Sequence, residues 1–136
     1  MGLLLDSYAA IWLSQDEPVA AAAAEAIDAA GLAATPVFVS PITAWQIGEL
    51  AATGRITMAM PPAEWFAALL RVPGMKLAAL SPEILIAASF LPGTPPADSA
   101  ARILAATARA HRLRLITRDQ ALLAYAAQGH IHAIGC

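Results

Sequence analysis

Apolar residues fall along this chain in two kinds of run. Short unbroken ones at Leu3–Leu5, Pro36–Val39, Lys76–Leu80, within RLRLIT (112–117) and at Ile131–Ile134 have the length and residue types of buried strands. Between them lie longer stretches whose bulky residues recur at helical spacing. A helix opens at Ser7 and runs through Trp12 and Leu13 to a break over Ser14–Pro18, and a second covers 18–30 and stops at Gly31. Ser40 at the N-cap with Pro41 at the first helical position starts a third, carrying Ile42, Trp45, Ile47 and Leu50 and ending near Gly54. Pro61 and Pro62 start another with Trp65, Leu69 and Leu70, which ends before Pro73–Gly74, and Ser81–Pro82 opens the next. A Pro-rich loop at 92–96 precedes a helix through Ala108, and Gln120–Ala127 is a last helix closed by Gly129. Strand alternating with helix throughout predicts an α/β domain, with a mainly parallel and roughly five-stranded sheet, filling residues 1–136 as one unit.

Composition sharpens this picture. The apolar fraction of 59% exceeds the usual ~45–50% chiefly through alanine, which fits closely packed helices. Only 13% of residues are charged, so apolar surface is left for a partner. A net charge of −2 gives no general attraction to nucleic acid, but Arg102, Arg109, Arg112, Arg114 and Arg118 are concentrated in one short region. The lone cysteine, Cys136, excludes an intramolecular disulfide and a multi-cysteine metal site. No stretch qualifies as a membrane span, and MGLLLDSYAAIWL lacks the basic start of a signal peptide, so the cytoplasm is the expected compartment.

Ligands of open α/β sheets bind beyond the carboxyl ends of the strands. Asp6 follows the first expected strand and Asp119 the fourth. Neighbouring placement of those strands would set the two carboxylates across one cleft, with Asp98 able to join them from a helix start. Two or three carboxylates suit a hard cation such as Mg²⁺. The same residues also suit helix capping: Asp98 precedes SAARILAATA, Asp119 precedes QALL, and Asp6 precedes Ser7–Leu13. His130 and His132 could face the same way on a strand, but no third ligand lies within reach by sequence, so they read as surface residues. Trp12, Trp45 and Trp65 read as packing or interface residues.

Five segments in order carry a resemblance: LLLDSYAAIWL (3–13), SPITAWQIGELAATGRI (40–56), Pro62–Trp65, LSPEILIAASFLPG (80–93) and ADSAARILAATARAHRLRLITRDQALLAYA (97–126). Together the chain resembles, nearly end to end, the PIN-domain ribonucleases of the VapC toxin type. The resemblance implies a three-layer α/β/α sandwich, an acidic site binding Mg²⁺ or Mn²⁺, cleavage of RNA, homodimerisation, and inhibition by a VapB-type antitoxin.

By the same resemblance, the family's first acid falls on Asp6, with the adjoining hydroxyl on Ser7, and its last acid falls on Asp119. The glutamate of a WEIG segment falls on Gln46 of WQIG. In ADSAAR, Asp98 matches an auxiliary acid, whereas the usual third ligand position is Ala101. Two of four usual acids are thus replaced, which implies a weakened metal site and strongly reduced ribonuclease activity. Glu49 lies three residues beyond Gln46 and is a candidate for an outer role only. Arg102 and Arg118 flank the acid positions and could hold RNA phosphates. The alternative is a module that binds antitoxin or RNA without cutting.

Overall fold

A computed structural model describes residues 1–15 and 17–136; the break expected over Ser14–Pro18 includes position 16, which lies outside the described residues. Leu3, Leu4 and Leu5 form strand β1 (Leu3–Leu5), and all three are fully buried because β1 is the central strand of the sheet. Its neighbours are β2 (Val37–Val39) on one side and β4 (Arg114–Thr117) on the other, with β3 (Met75–Leu77) and β5 (His132–Gly135) at the edges. Every pairing is parallel, Leu4 standing opposite both Phe38 and Leu115. A strand covered on both faces has no polar side to present, hence the unbroken leucine run.

Successive side chains of β1 divide the core. Leu3 and Leu5 enter one cluster with residues of α1 (Ser7–Ser14), α2 (Ala21–Leu32), α3 (Pro41–Ala52) and α4 (Pro62–Leu70). Leu4 enters a second cluster with α6 (Ser99–His111) and α7 (Gln120–Ala127), while α5 (Pro82–Ala87) packs its Ile84 against Ala106 of α6. Helices therefore cover both faces, giving the expected three-layer α/β/α sandwich. The alanines at 100, 101, 105, 106 and 108 are buried, and such small side chains let α6 approach its neighbours closely.

Some boundaries differ from those read in the sequence. Gly31 does not end α2, which continues to Leu32; Ala34 takes the left-handed conformation instead, at φ 54°. α6 runs past Ala108 to His111, and Arg112 terminates it at φ 54°, with Leu113 N–H bonded to Ala108 O at 2.9 Å. The helix end thus takes the first residues of RLRLIT, and β4 begins only at Arg114. β3 ends at Leu77 rather than Leu80, and β5 is displaced one residue toward Gly135.

Tyr125 of α7 is fully buried, and its hydroxyl donates to Pro92 O at 2.6 Å, fastening the Pro-rich loop to the second core. Tyr125→Phe is expected to lower stability by about 1 kcal/mol, because the carbonyl keeps its desolvation cost and loses its partner. A thermal melt of the variant beside the parent checks this.

Candidate functional site

Strands β1 and β4 run side by side with Leu5 opposite Ile116, so the chain leaves both at the same edge of the sheet. From β1 the connections proceed toward β2 and β3, and from β4 toward β5. The junction between them is the topological switch point, where an open α/β sheet forms its binding crevice. Asp6 follows β1 there; Thr117 ends β4, and Arg118 and Asp119 follow it. A cleft of about 320 Å³ opens at this point, lined by Asp6, Ser7, Gln46, Arg118 and Asp119, with Tyr8 and Trp12 from α1 and Leu104 and Leu122 on the apolar side.

Asp6 is 6% exposed. Its Oδ1 accepts from Ala9 N–H at 2.7 Å, capping α1, and its Oδ2 accepts from the Thr117 hydroxyl. Burial pushes its carboxyl above the usual carboxylate range; the two hydrogen bonds oppose this, the charge of Asp119 adds to it and that of Arg118 opposes it. Asp119 caps α7 through Oδ1, which accepts from Leu122 N–H at 3.0 Å. Thr117 Oγ1 also accepts from Asp119 N–H at 3.0 Å, so one buried hydroxyl ties the two acids' positions together. The acids thus cap helices and also line the cleft.

Ser7 is buried, its hydroxyl bonded to Gln46 Oε1 and lying 3.3 Å from Thr43 Oγ1. The half-buried Gln46 reaches the cleft from α3. Ala101 is buried on α6, one turn before Leu104, and packs into the second core cluster. Asp98 is exposed; its Oδ2 accepts from Ala101 N–H at 2.9 Å, and it is absent from the cleft lining, as are Glu49 and Arg102. Arg102 is instead close enough to Tyr125 for its charge, with that of Arg109, to oppose the upward push of burial on the phenol. His130 packs its ring against Tyr125 at 5.2 Å, and no group of three potential metal ligands forms among the described residues.

Three residues at the cleft were not legible as site residues. Thr117 looked like the end of a strand, although its place two before Asp119 is the available signal. Trp12 reads as a packing or interface residue but lines the cleft, with the Arg118 guanidinium carbon 3.8 Å from its ring centroid. Tyr8 gave no signal. Of the other tryptophans, Trp65 is buried with Nε1–H donated to Ser14 Oγ at 3.1 Å, and Trp45 is 60% exposed.

The family model described as PIN domain matches residues 3–128. The chain belongs to the PIN-domain family. It is 33% identical over 121 residues to Ribonuclease VapC22 of Mycobacterium tuberculosis (strain ATCC 25618 / H37Rv), covering 88% of each chain, and is of the VapC type. The same fold occurs in the crystal structure of VapBC2 from Rickettsia felis bound to a DNA fragment from its promoter, at a TM-score of 0.67 and 11% identity over 99% of this chain and 98% of that one. It occurs also in FitAcB from Neisseria gonorrhoeae, at a TM-score of 0.56 and 20% identity over 98% and 96%.

VapC-type PIN ribonucleases depend on a divalent metal. The donor set of this PIN domain fits such an ion sparingly. Asp6 and Asp119 share the cleft, and their mutual repulsion is what a cation relieves. Mg²⁺ keeps several waters, so two carboxylates suffice as its protein ligands.

Proposed function

We propose that this chain is a VapC-type endoribonuclease whose site holds one divalent cation, Mg²⁺ or Mn²⁺, through Asp6 and Asp119, and whose activity is strongly reduced. The observation that supports this best is the meeting of those two carboxylates beyond adjacent strands at the switch point of a PIN fold. A cation held there would supply a hydroxide from bound water and offset charge building on the phosphodiester.

The chain's own residues do the rest. Thr117 holds the Asp6 carboxylate in one orientation through its hydroxyl. Arg118, fastened to the carbonyls of Cys136 and Pro18, provides a fixed positive charge at the mouth for an RNA phosphate. Gln46 is neutral, so it orients but does not draw a proton from water. Ala101 contributes no oxygen to the cleft, and Asp98, engaged as the cap of α6, does not replace it. Loss of two charges is the specific observation favouring the second reading, a module that binds RNA or antitoxin without cutting.

A VapB-type antitoxin, a second copy of this chain and RNA are the proposed partners. The relatives whose fold it shares were solved as VapBC2 and FitAcB. Ile86 and Phe90 are 62% and 80% exposed, an apolar surface suited to protein contact. No helix among the described residues is long and apolar enough to cross a membrane, and a cytoplasmic location goes with the RNA-cutting reading.

The test is incubation of a mixed RNA panel with the chain in Mn²⁺, in chelator, and with Asp119→Asn. Slow cleavage that needs the cation and disappears in the variant is expected. Cleavage unaffected by chelator or by Asp119→Asn would refute the assignment.

A further inference from the structure

The cleft has one wall that the acids do not account for. Tyr8 sits in the first turn of α1 between buried Ser7 and Ala9, yet is 45% exposed and lines the cleft. Helical spacing places Trp12 one turn beyond it on the same face. Their ring centroids are 5.7 Å apart, with the planes inclined at 32°. Trp12 is in turn held by Arg118, stacked 3.8 Å from its ring centroid. Arg118 donates from Nε to Cys136 O and from Nη2 to Pro18 O, the latter at 3.1 Å. A guanidinium carries five N–H groups, so donors remain for an incoming group after these two bonds.

We propose that Tyr8, backed by Trp12 and Arg118, is a stacking subsite for one unpaired nucleobase beside the Asp6–Asp119 pair. This rests on the ribonuclease reading above and names the form of RNA the site takes. An aromatic face next to a cation-dependent carboxylate pair matches the two features of a nucleotide, a π surface and a phosphodiester joined through one sugar. The volume of about 320 Å³ is at the small end for a binding pocket and suits a single nucleotide better than a base pair. A base in a duplex keeps its faces against its neighbours, so only a single-stranded segment can offer one to Tyr8. The wall is restrained before binding by the cation–π contact and the two carbonyl bonds, which limits the ordering cost of stacking.

Stacking tolerates any base, because every base has a π face. The subsite therefore selects strandedness rather than sequence. Arg118 remains the phosphate-side contact, and Tyr8 touches only the base.

The test uses a short single-stranded RNA carrying a fluorescent adenine analogue, and the same strand with an abasic ribose at that position. Binding to the chain, Tyr8→Phe and Tyr8→Leu is read in Mn²⁺ by anisotropy and by quenching of the analogue, before measurable cleavage. The parent and Tyr8→Phe should bind the base-bearing strand equally and quench it. Tyr8→Leu should weaken binding about tenfold and lose the quench, with the cleavage effect in KM rather than kcat. All three should bind the abasic strand equally weakly. Because Tyr8 is half exposed, both variants should melt with the parent, which separates a contact effect from misfolding. Parent-like affinity and quenching by Tyr8→Leu, or tight binding of the abasic strand, would overturn the subsite while leaving cation-dependent cleavage intact. Failure of the parent to bind either strand in Mn²⁺ would overturn the ribonuclease reading and the subsite together.

Discussion

Gln46→Glu combined with Ala101→Asp is expected to raise cation-dependent RNA cleavage by about a hundredfold or more, the usual worth of a positioned acid–base group. Position 46 is prepared for the change. The Ser7 hydroxyl donates to Oε1 of Gln46, and a glutamate offers the same acceptor in the same place. Position 101 is more demanding, because Ala101 is buried among Leu104 and Ala105. An ionised aspartate there meets a desolvation cost of several kcal/mol. Two features oppose that cost: the position is the third residue of α6 after its Asp98 cap, where negative charge is favoured, and a cation in the cleft would neutralise it. The double variant should therefore melt below the parent in chelator and gain more from Mn²⁺ than the parent does. Cleavage rates and melting temperatures, each with and without Mn²⁺, check both halves. A double variant no faster than its parent would remove the two replaced positions as the cause of weak activity.

What the chain disclosed in advance follows from how each feature is encoded. Strand identity was readable because a strand buried on both faces must be apolar throughout, as Leu3–Leu5 is, and helix starts were readable because Ser40–Pro41 and Ser81–Pro82 are local chemistry. Helix ends were less so. Gly31 looked like a stop, but a glycine ends a helix only when the chain needs its left-handed freedom, and here Ala34 takes that conformation three residues later. Asp6 and Asp119 could be placed together because both end strands of a parallel sheet, and only the strand order had to be supplied. Asp98 illustrates the limit: a position one turn from a candidate ligand does not reveal whether a carboxylate caps its own helix or turns to a cleft. Tyr8 and the Arg118–Trp12 stack were invisible because they depend on which face of α1 meets the end of β4, a contact between residues 106 positions apart in the chain.

Asp6→Asn is expected to abolish the response to Mn²⁺ and, at neutral pH and above, to raise the melting temperature. Both effects come from one buried charge. Asn caps a helix as well as Asp does, so Ala9 N–H keeps its acceptor, and the amide NH₂ can donate to Thr117 Oγ1 where the carboxylate accepted. What disappears is an anion whose burial, reinforced by Asp119, raises its folded-state pKa. A carboxyl with a raised folded pKa binds its proton more tightly folded than unfolded, so its ionised form costs stability above that pKa. The cost declines as pH falls through the folded pKa and is gone below the unfolded one. The gain from Asp6→Asn should therefore be largest at neutral and alkaline pH and vanish toward acid pH. Without the carboxylate, Asp119 is left as the one acid lining the cleft among the described residues, half the negative charge that would hold the cation, and added Mn²⁺ should no longer shift the melt. Melting curves of parent and variant across pH, in chelator and in Mn²⁺, test the two effects separately. A variant less stable than its parent at neutral pH would mean that the Thr117 and Ala9 hydrogen bonds outweigh burial, and that the site is built to keep Asp6 charged even without an ion.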